Sequence, residues 1–194
     1  MRVILASGSA ARRAMCLAAG LKVAVLPADV DEAAFKAAAT GTVEETALAL
    51  AVAKAQRVSA VAPGALVVGA DQMLVCEGRR YDKPNDMSAA AAQLRALRGR
   101  THFLVTAVCV AQGGAVAWSH IETPVLTMRD FSEEFLASYL TAEGEKICGC
   151  VGAYRLEGFG AQLFARVEGD YFTILGLPLL ALLGFLRQAG EVPA

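Results

Sequence analysis

Ser7-Gly8-Ser9 is a short turn of small and hydroxylated residues, and Ala10-Ala11-Arg12-Arg13 follows it at once, a grouping that suits phosphate oxygens. The hydroxyls can donate hydrogen bonds, Gly8 permits close backbone approach, and a helix beginning here would add partial positive charge. Arginine presents a rigid fork of donors that matches phosphate geometry. Further on, Asp71-Gln72 follows the apolar run Ala65-Leu66-Val67-Val68-Gly69-Ala70, and Asp82-Lys83-Pro84 comes soon after. A carboxylate delivered by a buried strand suits a general base or a metal ligand. Together these residues point to phosphate-ester chemistry, with Lys54 and Lys83 as further cations and Asp31-Glu32 as a further source of carboxylate.

Each of these residues also has an ordinary structural role. Ser-Gly turns are common between strands and helices, an Asp ending a strand can cap a turn, a lysine is usually a solvated surface residue, and Asp31 can simply begin a helix. The Ser7–Ser9 turn is not a P-loop, because the Gly-Lys-Ser/Thr ending is missing. No Gly-x-Ser-x-Gly, His-Glu-x-x-His or Rossmann fingerprint occurs. His102 and His120 have no nucleophile pattern beside them and read as satisfied or exposed histidines. Cys148-Gly149-Cys150 lacks the second pair that a metal site usually shows, so it reads as incidental rather than as a metal or redox centre.

The elements that would position these groups alternate between strand and helix. Val3–Ala6 reads as a buried strand, Ala10–Ala19 as a helix stopped by Gly20, and Lys22–Leu26 as a second strand. Thr42-Val43-Glu44-Glu45 is a capping box that opens a long helix carrying Lys54. The run Ala65–Ala70 predicts a central strand covered on both faces, which sets Asp71 at the strand's end, at the mouth of a sheet. Ser88–Arg98 reads as a helix closed by Gly99. Thr101–Gln112 and Ala115–Met128 read as an extended hairpin through Gly113-Gly114. A helix capped by Ser132, a strand over Gln162–Glu168 and a closing helix over Leu177–Gln188 complete the chain. The expected class is α/β: a mixed twisted sheet with helices, in two lobes around a cleft.

Composition narrows the partners. The chain has 194 residues, 56% hydrophobic and 19% charged, enough to bury a sizeable core and the opposite of a disordered composition. A net charge of −1 gives no global field for nucleic acid or an anionic membrane, so any phosphate site must be a local cluster. The apolar run Ile174–Leu186 is broken by Pro178 and glycines and is shorter than the roughly 20 residues a spanning helix needs, so it reads as a buried helix. Five scattered cysteines and no evident secretory signal suit a reducing cytoplasm.

The ordered set Leu5-Ala6-Ser7-Gly8-Ser9…Arg12, Val30-Asp31-Glu32, Ala51–Ala55, Gly69-Ala70-Asp71-Gln72, Lys83-Pro84, Leu97–His102, Gly152-Ala153-Tyr154, Glu157-Gly158 and Gly169-Asp170-Tyr171…Leu175–Leu179 resembles the Maf family of nucleoside triphosphate pyrophosphatases. The resemblance covers the whole chain and implies a single Maf-like domain over residues 1–194, with a fold of the Maf and inosine-triphosphatase-like kind. It implies hydrolysis between the α- and β-phosphates, a divalent cation (magnesium, manganese or cobalt), a cytoplasmic setting and often a dimer. By it, Asp71 is the base, Arg12, Lys54 and Lys83 hold the triphosphate beside Arg13, and the Ser7–Ser9 turn donates hydrogen bonds. Glu32 assists water or, with Asp71, a metal. Gln72, Glu157 and the stretch Glu157-Gly158-Phe159-Gly160…Leu163-Phe164 look like the branch that cleaves 7-methyl-GTP, although that branch usually has Trp where this chain has Ala11. The family's association with septum inhibition implies an alternative, a nucleotide-binding regulator of cell division.

Overall fold

The computed structural model describes residues 2–193. The chain forms two compact units, the first Met1–Gln72, Thr106–Glu122 and Tyr171–Ala194, the second Met73–Val105 and Thr123–Asp170.

The first unit opens with β1 (Arg2–Leu5), α1 (Ala10–Ala18), β2 (Val23–Val25), α2 (Glu32–Ala38) and α3 (Val43–Val61). β1 pairs in parallel with β2 on one side and with the start of β3 (Ala65–Cys76) on the other. β3 neighbours β5 (Thr101–Gln112), whose second half forms an antiparallel hairpin with β6 (Ala115–Glu122). α6 (Tyr171–Ile174) and α7 (Leu179–Gln188) complete the unit. The architecture is the mixed α/β one that the alternating pattern predicts.

Because side chains alternate across a strand, β1 and β3 each feed two cores. Val3, Leu5, Leu66, Val68 and Ala70 pack with Met15 of α1 and Leu182 of α7. Ile4, Ala6, Ala65 and Val67 face the other way, with Val58 of α3. The α3 capping box forms as its sequence predicts: Thr42 Oγ1 accepts from Glu45 N at 3.2 Å, and Thr42 N donates to Glu45 Oε2 at 2.8 Å.

In the second unit the end of β3 pairs with β4 (Arg79–Tyr81), and the first half of β5 pairs with β7 (Val125–Met128), which pairs with β8 (Phe164–Glu168). Helices α4 (Met87–Leu97) and α5 (Glu133–Glu143) are capped by Asp86 and Ser132, and three short 3-10 helices lie between Gly144 and Leu163. The run Ala115–Met128, expected as one strand, is interrupted at Thr123-Pro124. Proline offers no N–H to the ladder, yet β6 and β7 keep one register against β5, with Thr106 opposite Glu122 and Phe103 opposite Val125.

His102 sits on β5, wholly buried, with Nε2 2.8 Å from the Tyr154 hydroxyl and Phe164 alongside. Its Nδ1 has no hydrogen-bond partner among the described residues, so the expectation of a satisfied or exposed histidine holds for one nitrogen only. Burial lowers its pKa from 6.5 to about 4. The unfolded chain therefore binds a proton that the folded state refuses, and stability falls as pH drops from about 6.5 towards 4. Roughly 3 kcal/mol is lost across that window. Urea unfolding at about pH 7 and about pH 4.5 should reveal this loss, and His102→Gln should flatten it. Equal pH dependence in the two proteins would assign the acid lability elsewhere.

All five cysteines are free thiols. Burial pushes Cys16 and Cys109 up to about 11 and raises Cys150 as well, so these thiols stay protonated at neutral pH. No described helix is long and apolar enough to cross a membrane.

Candidate active site

Gly69 decides how closely α3 can lie on β3. A Cβ there would collide with the Ala51 carbonyl and reach 2.7 Å from Ala55 N, so only glycine lets the helix backbone settle against the strand. Asp71 lies on the same strand face two residues on, and Lys54 lies on α3 between Ala51 and Ala55. The close approach thus brings a buried lysine to a buried carboxylate: Lys54 Nζ is 2.7 Å from Asp71 Oδ1. The same ammonium is 2.7 Å from Glu32 Oε1, whose side chain is 42% exposed at the start of α2. Asp31 caps that helix by accepting from Ala34 N, which accounts for the Asp31-Glu32 pair: one residue builds the helix and the next serves the cluster.

Asp71 does not end its strand, as the apolar run had suggested. β3 continues to Cys76, and the carboxylate sits mid-strand, 3% exposed. The lysine is what allows it, because a buried charge persists where it is paired. Asp71 Oδ2 is buried with no hydrogen-bond partner among the described residues.

The Ser7–Ser9 turn lies between β1 and α1. Ser9 Oγ caps α1 by accepting from Arg12 N at 3.3 Å, while Ser7 Oγ accepts from Ser9 N and from Arg12 Nη1, each at 3.2 Å. A Cβ on Gly8 would meet nothing within 4 Å, so the protein itself does not require glycine there. Arg12 reaches across the unit: Nη1 donates to Ala70 O at 2.9 Å and Nε to Gly176 O at 2.7 Å. Burial lowers the Arg12 pKa, while the charges of Asp71 and Glu32 pull the other way. Gly176, at φ +102°, adopts a backbone conformation that side chains rarely allow, and it lies directly against the Arg12 guanidinium, a Cβ there meeting Nε at 3.4 Å.

Residues 2–189 match the family described as Maf-like protein. The chain belongs to the Maf family. It is 55% identical over 191 residues to a nucleoside triphosphate pyrophosphatase of Granulibacter bethesdensis, covering 97% of each chain. A nucleoside triphosphate pyrophosphatase of Paramagnetospirillum magneticum is also 55% identical, covering 97% of this chain and 99% of that one. A 7-methyl-GTP pyrophosphatase of Rhizobium etli is 47% identical, covering 98% of both.

Within this Maf chain, Ser7, Ser9, Arg12, Glu32, Lys54, Asp71 and Gln72 all fall in the first unit. Arg13 is exposed on α1. Gln72 points to the opposite strand face from Asp71 and donates through Nε2 to Thr106 Oγ1, Thr173 O and Ile174 O at 2.9, 3.0 and 3.2 Å. Lys83 and Glu157 belong to the second unit. Lys83 is exposed, and its charge lowers the pKa of Cys150 while burial of that thiol raises it more. Glu157 Oε1 accepts from Arg155 Nε at 3.1 Å, and Arg155 Nη1 donates to the buried Glu143 at 3.0 Å. Burial opposes the charge on Arg155, but Glu157 and Glu143 outweigh it and raise its pKa.

The sequence reading missed Gly176, Thr173, Glu143 and Arg155. Gly176 and Thr173 lie in a stretch whose resemblance was visible, but they meet Arg12 and Gln72 through backbone carbonyls, which leave no mark in a sequence. Glu143 and Arg155 are 12 residues apart and meet only once the turns after α5 fold back.

Proposed function

We propose that this Maf protein is a nucleoside triphosphate pyrophosphatase that cleaves the α–β phosphoanhydride, giving the nucleoside monophosphate and pyrophosphate. The observation that carries the reading is Lys54 held between Glu32 and Asp71 on one strand face, with Arg12 and the Ser7–Ser9 turn in the same unit. A pure nucleotide sensor needs cations for the phosphates but no buried carboxylate with an unpartnered oxygen. That feature favours the enzyme over the cell-division regulator, as do the relatives' names.

In the reaction a water oxygen bonds to phosphorus, the bond to the bridging oxygen breaks, and pyrophosphate leaves with the electron pair. Asp71 takes the water's proton, and Oδ2 is the oxygen available for it, since Oδ1 is held by Lys54. Arg12 has two N–H bonds on Nη2 beyond those given to Ser7, Ala70 and Gly176, and Arg13 and Lys83 add positive charge for the phosphates. This is charge neutralisation and positioning rather than covalent catalysis.

A divalent cation fits these residues. No group of three or more His, Cys, Asp or Glu among the described residues would hold a metal unaided. Hard cations are, however, often held by one or two carboxylates together with substrate phosphates. The buried, unpartnered Asp71 Oδ2 and the half-buried Glu32 are such donors. When bound, magnesium, manganese or cobalt would neutralise phosphate charge and polarise the anhydride.

For the base, we propose a guanine-type purine, 7-methylated in the preferred substrate. Glu143, Arg155 and Glu157 bring two carboxylates to one guanidinium, which leaves the group net negative and suited to the positive charge of a methylated base. Gln72 would offer Oε1 to a base, its amide N–H groups being committed. A panel of canonical and methylated nucleoside triphosphates, with and without chelator, assayed for monophosphate and pyrophosphate, tests both levels. No pyrophosphate from any of them would sink the enzyme reading, and equal rates on 7-methyl-GTP and UTP would sink the base preference alone. Glu157→Gln should lower the guanine-over-uracil ratio by roughly tenfold, the worth of one lost charged contact.

The cytoplasm is the compartment this reading requires, since nucleotide substrates and free thiols both belong there. Assembly as a homodimer is the expectation that the family carries.

A further inference from the structure

α6 and the turn after it reach the site through three backbone carbonyls. Gly176 accepts from Arg12 Nε, while Thr173 and Ile174 accept from Gln72 Nε2. The helix has only four residues and the turn after it contains Gly176 at φ +102°, so its own hydrogen bonds cannot hold it in place. Thr173, which is wholly buried, supplies the anchor. Its hydroxyl donates to Glu122 Oε2 on β6 at 2.6 Å, and the Thr106 hydroxyl on β5 lies 3.3 Å from its carbonyl. Glu122 is held in turn by His120 Nε2 at 3.0 Å. His120 stacks on Trp118, and Trp118 on Phe185 of α7.

We propose that Thr173 is a positioning residue for the reaction: its bond to Glu122 fixes the turn whose carbonyls hold Arg12 and Gln72, and so aligns the phosphate-binding turn with the Asp71 strand. The kinetic part of this inference rests on the pyrophosphatase reading, and the structural part does not.

Thr173→Val keeps the side chain's shape and removes the donor. Glu122 is 31% exposed, so water takes up the lost bond and the fold should hold. Turnover should fall about tenfold or more with a smaller change in KM, because misaligned charges weaken the transition state most. Thr173→Ser restores the donor and should return turnover to within about twofold of the unmodified protein. By NMR, hydrogen exchange at Arg12 Nε–H should quicken about tenfold in Thr173→Val. Unchanged turnover and unchanged Arg12 exchange would overturn the proposal, as would a serine variant as impaired as valine or a loss confined to thermal stability. If Thr173→Val does not fold, the surface pair Glu122→Leu and Glu122→Gln decides. Loss of turnover in the leucine variant alone supports the proposal, and equal behaviour of the two overturns it. An unmodified protein that releases no pyrophosphate would refute the pyrophosphatase reading instead, and Arg12 exchange would then decide the positioning role alone.

Discussion

Asp71→Asn should abolish turnover on every nucleoside triphosphate while leaving a folded protein that still binds substrate. Asparagine is nearly isosteric but cannot accept the water's proton, and loss of a positioned base typically costs about 10²–10⁴-fold. The fold should survive because Lys54 keeps its second partner: Glu32 Oε1 lies 2.7 Å from the same ammonium. One of two charge pairs is lost, and the lysine is not left alone. Pyrophosphate release under saturating substrate measures the first effect, and urea unfolding the second. A variant that turns over at the unmodified rate would move the base to Glu32, the other carboxylate on Lys54.

How far the sequence revealed this site depends on what each residue does. Ser7, Gly8, Ser9 and Arg12 were legible because a strand-turn-helix sequence places them within a few residues of one another, and local spacing survives folding. Lys54 and Asp71 were legible as individual candidates, from a long helix and an apolar strand, but their contact was not. It requires α3 to lie on β3 at Gly69, and the glycine read only as one small residue in an apolar run. The same cause explains the misplaced end of β3. An Asp after six apolar or small residues looks like the point where a strand meets water, and only the lysine from another element explains why the strand continues. In the second half, the break at Pro124 was written in the sequence, since proline cannot donate to a ladder, but the preserved register across it made the hairpin look unbroken. The assignment of Gln72 met a different obstacle. The family resemblance marked it as a base-side residue, whereas two of the partners of its amide are carbonyls about a hundred residues away.

Lys54→Met should be the most damaging single change to stability in the cluster. Lys54 is 6% exposed and its ammonium is the hydrogen-bond partner of Asp71 Oδ1, while Oδ2 has none among the described residues. Methionine fills the space of the aliphatic stem but leaves Asp71 as a buried carboxylate with neither oxygen satisfied and Glu32 nearby. Removing one member of a buried pair typically costs about 3–5 kcal/mol. For a chain of this length that corresponds to a fall in Tm of about 10 °C. Turnover should be lost as well, for all bases alike, if the cation serves, as the family resemblance implies, the phosphates that every substrate shares. The double variant Lys54→Met with Asp71→Asn separates the two effects. With the charge gone from the strand, stability should recover most of what Lys54→Met loses, because an uncharged amide costs less to bury than an unpaired carboxylate. Turnover should not recover, since neither the base nor the cation is present. If the double variant were no more stable than Lys54→Met, the stranded charge on Asp71 would not be the cause, and loss of the lysine's packing against β3 would have to carry the effect.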